Sequence, residues 1–210
     1  MSAPHPDDIK AACGKLAQTD PVLAAAYGVI GVPAWRSAPA RFETLARTVT
    51  FQLISTRAAD AIWARTQACL GGDVRPETLL DCEIDALRAC GQSRPKIAHM
   101  RAIAQAVRDG ELDFARLQAA SVAEARRELL RVRGIGPWTA DVFLLGALGQ
   151  LDACPMGDVG ILEAWRRLSG QEARPSPREF VGLAEAWQPF RGVAAHLLWG
   201  WLNHMRTPET

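Results

Sequence analysis

Apolar residues recur every three or four positions along almost the whole chain, and no convincing two-residue alternation of a strand appears. Phe42, Leu45, Ala46, Val49 and Leu53 form one such stripe, and Ile97, Met100, Ala104 and Val107 form a second. Phe180, Leu183, Ala184 and Trp187 form a third. Val193, Ala194, Leu197, Leu198, Trp201 and Leu202 form the last and cleanest. That period stacks side chains on one face of a helix. The fold is therefore expected to be all-α. Helix breakers separate the stripes at Gly71-Gly72, Asp109-Gly110, Gly134 to Pro137, Gly149 to Gly157, Gly170 to Pro177 and Pro189. A looser stretch runs from Val29 to Pro39, and there is no internal repeat or low-complexity tract.

The chain has 210 residues, enough for one domain or one domain with two lobes, and long enough to bury a core without disulfide or metal staples. No apolar run approaches the length of a membrane span. The start, Met1 to Lys10, carries Asp7 and Asp8 and lacks the apolar run of a secretory signal, so a cytoplasmic protein with no membrane partner is expected. A net charge of +1 gives no bulk attraction to nucleic acid. Lys10, Lys15 and Lys96 are the lysines, so 21 of the 24 basic residues are arginine, the side chain suited to phosphate forks. Cys13, Cys69, Cys82, Cys90 and Cys154 are odd in number and widely spaced, without a CxxC pair. They read as small buried hydrophobes in a reducing compartment.

One segment stands out. Leu129 to Asp141 reads as the end of a helix, a tight Gly134-Ile135-Gly136 turn and a new helix opened by Pro137. Glycine permits positive φ and close backbone approach, and proline suits the first turn of a helix. Such a turn aims backbone N–H groups outward at a helix N-terminus, where a DNA phosphate fits. Arg126, Arg127, Arg131 and Arg133 lie on the approach. The same pattern also suits a plain αα-corner with glycines for packing.

Asp158 follows Trp138 by 20 residues, within Leu151-Asp152-Ala153-Cys154-Pro155-Met156-Gly157-Asp158-Val159. With this segment the chain resembles the helix-hairpin-helix DNA glycosylases, in particular their 3-methyladenine DNA glycosylase II branch. The resemblance covers most of the chain. It includes Asp20-Pro21-Val22-Leu23, Phe51 to Ser55 with Ala58-Ala59, and Gly91 to Ile97. It continues through the hairpin and the Pro155/Asp158 segment to Trp187-Gln188-Pro189-Phe190-Arg191 and Ala194 to Trp199.

The resemblance implies two helical lobes with a DNA-facing active-site cleft between them. One lobe would span about residues 45 to 150, and the other residues 1 to 44 with 151 to 210. It implies base excision of alkylated purines such as 3-methyladenine and 7-methylguanine from damaged double-stranded DNA, by a monomer. The damaged base is flipped out of the duplex before cleavage. It already carries positive charge and leaves neutral, so the sugar is what needs stabilising as it becomes oxocarbenium-like. A carboxylate close to the sugar does this and positions or deprotonates water. Asp158 is the residue assigned that role, and its place after Gly157 also suits an ordinary helix N-cap. Asp141 and Asp152 rank below it, Asp152 as a loop-shaping residue.

Trp138 and Trp199 would line the base pocket, because an indole face attracts a cationic base by about 0.5–2 kcal/mol more than a neutral one. Trp138 also suits a core aromatic, and Trp199 lies off the apolar stripe of its helix. Trp165 and Trp187 read as core, and His196 as a core or surface residue. Some relatives carry aromatics at the positions of Val142 and Val159, so the pocket here would be roomier. Gln52, Leu53 and Ser55 match a loop inserted into the duplex, with Leu53 as the plug; Leu53 equally extends the Phe42 stripe. Gly134, Ile135, Gly136, Thr139 and Arg133 would bind DNA.

Bifunctional relatives carry a Schiff-base lysine at the Trp138 position. Its replacement implies a monofunctional enzyme that leaves an abasic site. No cysteine follows Cys154, so no iron–sulfur cluster is expected, and no cofactor is required. A monovalent cation on the carbonyls of Leu130, Arg133 and Ile135 is implied at the hairpin. The alternatives are a glycosylase for deaminated, oxidised or mispaired bases, and a non-catalytic helix-hairpin-helix damage-binding module.

Overall fold

The computed structural model describes residues 4–206. The first helices are α1 (Pro6–Thr19) and α2 (Pro21–Ile30). Asp20 makes the junction. Its side chain accepts hydrogen bonds from the Val22 and Leu23 N–H groups, and Pro21 fills the first position of α2 where no donor is needed. Then come α3 (Phe42–Phe51), α4 (Thr56–Cys69), α5 (Pro76–Asp81), α6 (Ile84–Ala89), α7 (Arg94–Arg108), α8 (Phe114–Ala119), α9 (Val122–Arg131) and α10 (Pro137–Gly146). The chain ends in α11 (Val159–Leu168), α12 (Pro177–Ala184), a 3-10 turn (Glu185–Trp187) and α13 (Arg191–His204). The fold is all-α, with no strand among the described residues. Among them, no helix is long and apolar enough to cross a membrane.

Among the described residues, two compact units form, one from residues 4–37 with 148–206 and one from residues 38–147. In the first, α13 is the central helix and packs on α1, α2 and α11. The sequence suggests one buried face for α13, yet every residue from Gly192 to Leu198 is buried. Three neighbouring helices leave that turn no solvent side. Leu183 departs from its stripe and is exposed. The α-helix tightens into the 3-10 turn at Glu185, and the change of period carries Trp187 inward without Leu183. Trp187 is 1% exposed, and its indole N–H donates to Asp20 Oδ2 at 2.7 Å. Trp165 is only half-buried and meets Phe180 edge-on.

In the second unit, α7 buries Ile97, Met100, Ile103 and Ala104 against α3 and α5. Truncating a fully buried residue such as Ile103 to alanine costs about 2–5 kcal/mol. Gln92, also buried, donates to the hydroxyls of Thr50 at 2.8 Å and Thr66 at 3.1 Å, joining α3 to α4. Lys96 donates to the Thr50 carbonyl at 2.8 Å, near the end of α3. Desolvation holds its ammonium below the usual lysine range. The cysteines are not uniformly buried. Cys13, Cys90 and Cys154 are covered, but Cys69 is exposed and Cys82 half-exposed. Both lie at helix C-termini, which no core face covers.

Candidate active site and hairpin

Asp158 is the N-cap of α11, and its Oδ1 accepts the Ile161 N–H at 3.0 Å. The same oxygen accepts the indole N–H of Trp199, on α13, at 2.9 Å. One carboxylate oxygen is thus held by a helix N-terminus and by a second helix, which fixes its direction. Gly160 makes room: a Cβ there would lie 3.1 Å from Asp158 Oδ1 and 3.5 Å from Trp199 Cδ1. The preceding loop is anchored through Asp152, whose Oδ1 accepts the Arg191 backbone N–H at 3.2 Å and Nε–H at 2.9 Å. Asp152 is therefore engaged in holding the loop.

Trp199 sits in an aromatic stack. His196, one turn earlier on α13, meets its ring edge-on at 5.7 Å. Trp35, from the loop after α2, stacks flat on His196 with centroids 4.0 Å apart. His196 Nδ1–H donates to the Gly192 carbonyl at 2.9 Å, and Nε2 accepts the Arg36 backbone N–H at 3.4 Å. A carbonyl only accepts and an amide N–H only donates, so the ring is neutral with its proton on Nδ1. Burial pushes its pKa down to about 4, the Arg36 charge adds to this, and the Gly192 bond opposes it. The Arg36 guanidinium lies 6.0 Å from the Trp199 ring centre. Sequence reading missed Trp35 and Arg36; the available signal was a tryptophan in a Gly/Pro/Ala loop with no apolar stripe to join.

In the second unit, α9 opens with a reciprocal cap between Ser121 and Glu124 and ends at Arg131. In the turn, Ile135 is buried and donates to the Val132 carbonyl at 3.1 Å. Gly134 has φ +97°, and a Cβ there would lie 2.8 Å from the His99 Cα. Gly136 differs: it is extended, caps α10 and has nothing within 4 Å of where a Cβ would be. The two glycines of one motif thus have separate reasons. Gly134 is required by backbone approach, whereas Gly136 keeps the mouth of α10 open.

Around the turn, Trp138 and Val142 are half-buried, so Trp138 is not a closed core residue. Val159, in the first unit, is 57% exposed. Leu130, Arg127, Arg131 and Arg133 are exposed, but Arg126 is not an open cation. It donates to Asp141 Oδ1 at 2.7 Å and Oδ2 at 3.3 Å, so Asp141 anchors α9 to α10. Arg127 and Arg131 line a groove between α8 and α9 with Arg116, Glu124 and Glu128.

Gln52 to Ser55 links α3 to α4. Helix α3 stops at Phe51, because Gln52 turns extended, so Leu53 leaves the stripe that Phe42 begins. Leu53 is 98% exposed and adopts φ +57°, a left-handed conformation costly for a leucine. Gln52 donates to the buried Thr139 hydroxyl at 2.7 Å, tying this loop to α10 just after the hairpin. Ser55 caps α4 through the Ala58 N–H.

The model of the HhH-GPD superfamily of base excision DNA repair proteins matches residues 46–189. The chain belongs to this superfamily. DNA-3-methyladenine glycosylase 1 of Schizosaccharomyces pombe is 31% identical over 161 residues, covering 75% of this chain and 71% of that protein. The structure of a 3-methyladenine DNA glycosylase from the same yeast, in complex with abasic DNA, superimposes with a TM-score of 0.82 at 28% identity. That match covers 90% of this chain and 94% of the other. A DNA-3-methyladenine glycosidase from Bacillus halodurans superimposes with a TM-score of 0.74 at 31% identity, over 91% of this chain and 88% of the other. This HhH-GPD chain is thus similar to base-excision glycosylases over nearly its full described length.

Proposed function

We propose that this HhH-GPD protein is a monofunctional glycosylase that hydrolyses the N-glycosidic bond of alkylated purines in double-stranded DNA. The observation that carries the reading is the Asp158 carboxylate held by both the α11 N-terminus and the Trp199 indole. Its charge stabilises the oxocarbenium-like sugar as the C1′–N bond breaks, and it orients the water that attacks C1′. The bonding pair stays with the departing base, which neutralises its positive charge. Trp199, in the unit that carries Asp158, offers an indole face to the cationic base. Leu53 fills the space the base vacates. The Gly136 mouth of α10, with the exposed Arg133, holds a DNA phosphate; Thr139, expected there from sequence, is instead buried and accepts from Gln52.

The lysine chemistry of bifunctional relatives lacks a lysine at position 138, and Lys96 is committed to the Thr50 carbonyl. Strand cleavage is therefore not part of the reaction. The hairpin also suits a monovalent cation. The turn's own backbone hydrogen bonds end on the carbonyls of Leu129 and Val132, and the cation would sit on those of Leu130, Arg133 and Ile135.

Asp158→Asn is the test. Asparagine caps a helix as well as aspartate and keeps an oxygen for the Ile161 and Trp199 donors, so the fold and DNA binding stay intact. Release of methylpurines from methylated duplex DNA should fall by at least about a hundredfold, the scale of losing a preorganised electrostatic group. With the wild type, strand breaks should appear only after alkali. Equal release by both proteins would reduce Asp158 to a cap. Binding without release by either would favour a damage-binding module or a different lesion.

A further inference from the structure

We propose that Cys69 and Cys82 form an oxidant-reactive thiol pair on the second unit, which a hydroperoxide closes into a disulfide. Cys69 is the last residue of α4 and is exposed. Cys82 caps the C-terminus of α5, and the two sulfurs lie 3.8 Å apart, in van der Waals contact. Arg101, on α7, holds the Cys82 segment in place by donating to the carbonyls of Leu79 at 3.3 Å and Cys82 at 3.2 Å. A disulfide requires the sulfurs to close from 3.8 Å to about 2 Å, and the exposed Cys69 side chain is the one with room to move. Cys90 lies in the same neighbourhood but is buried, and its thiol donates to the Arg65 carbonyl at 3.5 Å. Among the described residues, no three His, Cys, Asp or Glu side chains group where they could hold a metal ion.

The order of events follows from exposure. The Cys69 thiolate attacks the peroxide, the O–O bond breaks, and sulfenic acid and hydroxide form. Cys82 then displaces hydroxide from the sulfenic sulfur, and its thiol proton leaves in the water produced. The two thiols are oxidised by two electrons and the peroxide is reduced to two waters. Partial burial and the neighbouring sulfurs push the Cys82 thiol up to about 11. It therefore stays protonated against free peroxide, and once deprotonated it is the stronger nucleophile toward the sulfenic sulfur.

Trypsin tests the pairing, because the Arg75–Pro76 bond resists cleavage. Cys69 and Cys82 fall on one peptide, residues 66–88, and Cys90 on the next, residues 89–96. After limiting hydrogen peroxide, the folded full chain should lose two of its five thiols, and peptide 66–88 should lose two hydrogens without gaining a partner. A thiol reductant should reverse this. Cys82→Ser should leave Cys69 as a sulfenic acid trapped by dimedone, and Cys69→Ser should leave residue 82 unmodified. The proposal fails if peptide 66–88 becomes linked to peptide 89–96, or if Cys69 proceeds to sulfonic acid with no link. It also fails if the pair stays reduced, or if the chain unfolded in urea gives the same yield of link, since native proximity would then play no part.

Discussion

The indole N–H of Trp199 and the backbone N–H of Ile161 converge on one oxygen of Asp158, at 2.9 and 3.0 Å. The carboxylate is therefore aimed by α13 as well as by the helix it caps. Trp199→Phe keeps an aromatic face, smaller than the indole, and deletes the donor. Base release should fall about tenfold, the equivalent of about 1.4 kcal/mol, which is the scale of a hydrogen bond to a charged group. Single-turnover release measures it. In an Asp158→Asn background the same change should add almost nothing, because the group being aimed is already lost. Independent, multiplying losses would refute the coupling.

Gly134 and Gly136 should separate stability from binding. Gly134→Ala combines a positive φ with a Cβ 2.8 Å from the His99 Cα, so urea unfolding should show a loss of about 2–4 kcal/mol. Gly136→Ala meets no atom and has an allowed φ, so its cost should be limited to the N-cap preference for glycine over alanine, about 1 kcal/mol or less. Its affinity for duplex DNA should nonetheless weaken, because a methyl group stands at the mouth of α10.

Leu53→Gly should dissociate fold from function. The left-handed backbone no longer carries a Cβ, which offsets the added freedom of the unfolded chain. Stability should stay level or rise by up to about 1 kcal/mol. Release of methylpurines from duplex DNA should fall severalfold, while release from single strands stays near wild type, because there is no stacked gap to fill. Equal losses on both substrates would remove Leu53 from the plug role.

His196 should impose an acid limit on stability. Its pKa falls from an ordinary 6.5 to about 4 on folding, so the unfolded chain takes up its proton first as pH drops. Stability from this group is full above about pH 6.5 and is lost as pH falls toward 4, by about 3 kcal/mol in all. Urea midpoints between pH 7 and 4 should show this slope, and His196→Gln should flatten it. Glu163, held down to about 2 by Arg166 and Arg167, loses its contribution below that window, between about 4.5 and 2.

The sequence alone determined the helical class, the helix breaks, the Gly-Ile-Gly hairpin and the capping position of Asp158. Each rests on hydrogen bonds and steric rules that act within about four residues, so period, proline and cap residues spell them out. Tertiary structure decided where side chains went. Leu53 continues an apolar stripe in sequence, yet it faces solvent because α3 ends two residues earlier. Arg126 sits among arginines beside a phosphate-like turn, yet packing of α9 on α10 delivers Asp141 to it. Cys69 and Cys82 look unrelated until α4 and α5 bring their C-termini together. Trp35 reaches His196 across 161 positions of chain. Such pairings are set by how helix faces pack and which groups must be satisfied when buried. That is a property of the assembled unit, and no local pattern encodes it.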